Sequence, residues 1–89
     1  MFLTQTFSAL SDPNRQKILN CLKKSELPVS EIAKDLNITL PTLSHHLDIL
    51  RRSNLVSSRR VGRQIFYSLN LSVTEEIIEA VTKLFKKNK

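Results

Sequence analysis

Glycine occurs once in these 89 residues, as Gly62, and proline three times. So small a stock of turn residues excludes a chain of many short strands and points to a mostly helical one. A single cysteine, Cys21, excludes an internal disulfide and with it a secreted disulfide scaffold. No apolar run approaches the roughly 18 residues that a membrane-crossing helix needs. The opening MFLTQTFSALSD lacks the basic n-region and the sustained apolar stretch of a signal peptide, so the expected location is cytoplasmic. No repeat, linker or low-complexity tract divides the chain, and one domain over residues 1–89 is expected. Acid is the scarcer charge: 8 acidic against 14 basic side chains leave a net charge of +6. That imbalance favours a polyanionic partner, nucleic acid ahead of an anionic membrane surface. The 40% hydrophobic content suffices for one small core.

What is present reads as a succession of short amphipathic elements. Phe2, Leu3, Phe7 and Leu10 give residues 2–10 an apolar side. Asp12-Pro13 is a helix-start signal, because Asp12 can cap and Pro13 at the first helical position loses no bond. The helix that follows is expected to reach Lys24, with Ile18, Leu19 and Leu22 as its stripe and Cys21 beside them as a small core residue. Pro28 breaks the pattern. A third helix over about Ser30 to Leu36 buries Ile32, Ala33 and Leu36. After a turn at Asn37-Ile38, Thr39 is placed to cap a fourth over Leu40 to Ser53. Leu43, Leu47 and Leu50 recur at helical spacing and face inward. Two helices joined so tightly are a helix-turn-helix candidate.

From Leu55 the period turns extended. Val56 to Val61 and Gln64 to Leu69 read as strands of a hairpin with the only glycine at its tip, and Ile65, Tyr67 and Leu69 are expected to point to the core. Ser72-Val73-Thr74-Glu75 reads as a capping box opening a last helix. Val73, Ile77, Ala80, Val81, Leu84 and Phe85 are its apolar face, and Lys83, Lys86 and Lys87 lie near its end. The order is α-α-α-α-β-β-α: mainly α with a β-hairpin, a winged helix-turn-helix.

Removing the inward leucines of the fourth helix leaves Pro41, Thr42, Ser44, His45, Asp48 and Arg52 outside. Short polar groups near the N-terminal end of a second helix suit major-groove reading. Arg59, Arg60 and Arg63 cluster around Gly62, with Arg51 and Arg52 just before. Five arginines and one acid, Asp48, occupy the stretch from Thr39 to Gln64. Guanidinium groups suit bidentate phosphate contact and narrow minor grooves. His45 and His46 point about 100° apart on a helix, too far to share a metal. His45 is the candidate for DNA contact, and His46 is expected to pack against the second helix.

In order and spacing, FSALSDPNRQKILNCL and VSEIAKDLNITLPTLSHHLDILRRSNLVSSRRVGRQIFYSL resemble the ArsR family of bacterial winged-helix repressors. The likeness covers nearly the whole chain, and it is closer to the short autorepressor type than to the metal sensors. It implies that Thr39, Pro41, Thr42, Ser44 and His45 read the major groove and that Arg60 and Arg63 belong to the wing. It further implies a homodimer built on the first and last helices. The sequence supports that independently: Phe2, Leu3, Phe7, Ile77, Ile78, Val81, Leu84 and Phe85 offer more apolar surface than so small a core requires. The metal-sensing members carry cysteines in the third helix, where this chain has Val29-Ser30-Glu31-Ile32-Ala33. They also use Asp and His on the last helix, where this chain has Glu75, Glu76 and Glu79 and no histidine. Carboxylates alone suit zinc poorly, so no metal site and no cofactor are expected.

No phosphate loop, nucleophile-base set or paired acids suggest an enzyme. The expected function is transcriptional regulation, as a repressor on a double-stranded operator with inverted-repeat half-sites, the short members being regulated through a partner protein. Two alternatives remain open at this level. One is a winged-helix protein-interaction module without DNA reading, motivated by Asp48. The other is a repressor responsive to metal or oxidant.

Overall fold

The computed structural model describes the backbone of residues 2–85 and the side chains of residues 4–84. The chain forms α1 (Phe2–Leu10), α2 (Pro13–Cys21), β1 (Leu27–Pro28), α3 (Val29–Leu36), α4 (Leu40–Arg52), β2 (Val56–Val61), β3 (Gln64–Leu69) and α5 (Leu71–Phe85). Each boundary has a local cause. Asp12 caps α2 by accepting from the backbone N–H of Asn14 at 2.9 Å and of Arg15 at 3.1 Å, and Pro13 follows at the first helical position. Asn37 ends α3 in the left-handed region at φ 55°, which an asparagine tolerates better than most residues. Thr39 then caps α4 through a bond from the Thr42 N–H.

The core lies where α2, α3 and α4 meet the base of the hairpin. Ile18, Ile32, Leu43, Leu47, Leu50, Leu55 and Val56 are all buried there, so the inward stripe expected for α4 is in place. Full burial of one such side chain is worth about 1.5–3 kcal/mol. Tyr67, Leu69, Val73 and Ile77 close over its margin.

Four details differ from the sequence-based expectation. α2 ends at Cys21 rather than Lys24, because Leu22 turns into the core at the helix end. Leu27 and Pro28 form an unexpected short strand against Tyr67 and Phe66, giving a three-stranded antiparallel sheet in the order β1-β3-β2. Proline is tolerated there because β1 is an edge. The start of α5 is not capped by the box at Ser72 to Glu75. Asn70 does it instead, its Oδ1 accepting from the Val73 N–H at 3.5 Å and its carbonyl from the Thr74 N–H at 3.1 Å. Finally, Ile65 is exposed, since β3 has run past the core by that point and lines a groove.

The molecule is elongated. Its radius of gyration is 14.1 Å and its extents are 53 × 23 × 22 Å, whereas a compact chain of this length has about 12 Å. No helix among the described residues is long and apolar enough to cross a membrane.

Candidate nucleic-acid interface

α4 divides cleanly. Leu43, His46, Leu47 and Leu50 are buried, while Thr39, Leu40, Pro41, Thr42, Ser44, His45, Arg51 and Arg52 are exposed. The Thr39 hydroxyl donates to the Thr42 hydroxyl at 3.0 Å, so these two groups act as one polar unit at the helix N-terminus. His45 faces out, its ring centroid 5.6 Å from that of buried His46.

His46 is held by Arg15. The Arg15 Nη1 donates to its Nδ1 at 3.2 Å, and Asp12 Oδ2 lies 3.8 Å from the same nitrogen. It thus packs against α2, as expected. Partial desolvation pushes the Asp12 carboxyl up. The amide of Arg15, nearby His46 and the amide of Asn14 outweigh that and hold it below the usual carboxylate range.

The wing is a two-residue hairpin. Val61 pairs with Gln64, and Gly62 takes φ 61° between them, a conformation that only glycine adopts without strain. Directly opposed residues share a face. Val56, Ser58 and Arg60 therefore lie on the face of Leu69, Tyr67 and Ile65. That face looks onto α4 across a cleft of about 600 Å³, whose walls include Ser44, Asp48, Arg51, Arg63 and Tyr67. Arg60 Nε donates to the Gly62 carbonyl at 3.2 Å, which props the side chain along the tip.

Arg59 falls on the opposite face. It lies over the Phe66 ring at 5.7 Å, and its Nε and Nη2 donate to the two oxygens of Glu26 at 2.6 and 2.7 Å. The structure thus brings Ser44, Arg63 and the Arg60 face together around one cleft and sets Arg59 apart. Strand alternation counted from buried Val56 carries that signal in the sequence. Gln64 on the cleft wall and Glu26, paired with Arg59 on the opposite face, carry no such signal, because only the folded hairpin places them there. Arg52 sits at the far end of α4, bonded to Asp48. Cys21 is half-buried, and burial, then the nearby Asp35, push its thiol up, away from the reactive thiolate. Among the described residues no group of three or more His, Cys, Asp or Glu is placed to hold a metal ion.

Of the expected dimer residues, Phe7 and Ile78 are exposed, as is Leu84 at 74%. Val81 is half-buried, and Ile77 packs against the chain's own core. The side chains of Phe2, Leu3 and Phe85, and residues Lys86 and Lys87, lie outside the described residues.

A tight helix-turn-helix with a hairpin directly behind it defines a winged-helix regulator. Residues 12–58 match the family described as bacterial regulatory protein, arsR family. The chain is 39% identical over 85 residues to the transcriptional repressor SdpR of Bacillus subtilis (strain 168), spanning 96% of this chain and 94% of that protein. HlyU from Vibrio cholerae N16961 has the same fold with a TM-score of 0.79 at 31% identity, over 94% of this chain and 91% of that one. NolR from Sinorhizobium fredii has it at 0.77 and 33%, over 94% and 84%. The chain belongs to the ArsR family: it is a DNA-binding transcription regulator and not an enzyme.

Proposed function

We propose that this chain is a cytoplasmic homodimeric repressor that reads a double-stranded operator with α4 and steadies itself with the wing. One observation carries the reading: Ser44 of α4 and Arg63 of the wing line the same cleft, so a duplex seated on one meets the other. Thr42, Ser44 and His45 would enter the major groove with Pro41 and Leu40 beside them, while Thr39 fixes the helix end. Arg60 and Arg63 would grip phosphate or an adjacent minor groove. Arg52 and Arg59 stand at the borders of this surface, each held by a carboxylate.

The homodimer reading rests on the exposed apolar side chains of α1 and α5. Two-fold symmetry would set the two α4 helices about 34–36 Å apart on inverted half-sites. Repression, rather than activation, is taken from relatives such as SdpR, whose name says so.

Titration of operator-bearing and random duplexes over a range of salt tests the reading. Arg60→Ala and Arg63→Ala should each flatten the dependence of log K on log salt by about 0.9. Ser44→Ala should lower discrimination between sequences while leaving that slope in place. A protein that shifts no duplex even at low salt would be an interaction module instead. A loss of affinity on adding zinc or peroxide would favour a sensor.

A further inference from the structure

Three of the five arginines on α4 and the wing are occupied by carboxylates. Asp48 Oδ1 accepts from Arg51 Nη2 at 2.8 Å, and its Oδ2 lies 2.8 Å from Arg52 Nη2. Glu26, from the segment before β1, accepts from Arg59 with both oxygens, the fork geometry that a phosphate would offer. Among the described residues neither acid has another hydrogen-bond or ion-pair partner, so neither serves as a helix cap or supports a buried group. Arg60 and Arg63 make no ion pair among the same residues.

We propose that Asp48 and Glu26 are specificity-determining residues that act as internal competitors for phosphate, holding Arg51, Arg52 and Arg59 back from indiscriminate contact with DNA. The inference rests on the DNA-reading function proposed above. Binding to random sequence grows with the number of phosphates neutralised. An arginine that must leave a carboxylate to reach a phosphate exchanges one ion pair for another and gains little. The abandoned acid then repels the backbone. Exposed pairs are weak, so each acts as a tax of a few-fold rather than a block. On a matched operator, base contacts from α4 hold the helix in place and meet that tax. On random DNA nothing does, and the ratio between the two rises.

The near-isosteric variants Asp48→Asn and Glu26→Gln, alone and combined, test this against a selected operator and a random duplex. The double variant should bind the random duplex roughly 5- to 30-fold more tightly at moderate salt, and its salt slope should steepen by about 0.9 for each arginine released. The operator-to-random ratio should fall. Arg59→Gln should leave the slope nearly unchanged in the wild type and remove the added slope in the Glu26→Gln background. Unchanged affinity and slope in the double variant would overturn the proposal. So would an Asp48→Asn that relaxes preference at a single base pair with its slope intact, because Asp48 would then be reading a cytosine amino group. Weaker binding of Glu26→Gln to both duplexes would make Glu26 a support for the wing and overturn its part. A wild type that binds no duplex would remove the underlying function, an outcome distinct from all of these.

Discussion

Arg15 shows how much a single side chain can hold. Its Nε donates to the Ala9 carbonyl at 2.7 Å, its Nη2 to the Ser8 carbonyl at 3.3 Å and its Nη1 to His46 Nδ1 at 3.2 Å. A guanidinium can only donate, so in this contact the His46 nitrogen is the acceptor. Arg15→Met would leave a buried ring nitrogen and the Ala9 carbonyl at the end of α1 without the donor they have now, while the Ser8 carbonyl keeps the Ser11 amide and hydroxyl. It should cost about 1–3 kcal/mol in urea denaturation, while Lys17→Met on the same helix should stay within about 0.5 kcal/mol. Glu26 makes a different prediction. The hydrogen bonds from Arg59 hold its carboxyl below the usual carboxylate range, against a smaller opposing push from desolvation. A carboxylate depressed on folding stabilises above its unfolded pKa, and that contribution is lost as pH falls through the folded one. The Tm of the wild type should therefore exceed that of Glu26→Gln at neutral pH, and the two should converge in acid.

At the scale of elements, the turn between α3 and α4 sets the angle of the reading helix. Asn37 at φ 55° is its hinge point. Asn37→Gly should be nearly neutral. Asn37→Ala should lose about 1 kcal/mol, measured by denaturation, because alanine keeps the Cβ that crowds the following carbonyl in the left-handed region but lacks the short polar side chain that offsets this in asparagine. This geometry was legible beforehand: the leucine spacing of α4, the capping signals at Asp12 and Thr39, and Gly62 between two alternating runs each had a local cause. β1 was not legible, since a two-residue strand containing Pro28 has no period and exists only because β3 offers an edge. The cap of α5 was not legible either: Ser72 and Glu75 fit the box pattern, whereas Asn70 is placed by the end of β3, its N–H donating to the Leu55 carbonyl at 3.0 Å. The interface was legible as a set of residue types on α4 and the wing. Its division was not, because the carboxylate partner of Arg59 lies 33 positions away in sequence.

For the whole molecule, elongation and exposed apolar surface belong together. Leu71, Ile78 and Leu84 on α5 and Phe7 on α1 remain uncovered, and the homodimer proposed above would cover them. Ile78→Glu combined with Leu84→Glu should give a monomer in sedimentation and lower operator affinity at least about tenfold, since one half-site alone must then hold the protein. The helix that carries exposed Phe7 is also fastened, through the Arg15 guanidinium, to the imidazole on the inner side of α4. Any chain that covers Phe7 would therefore rest on the same element that braces the reading helix from behind.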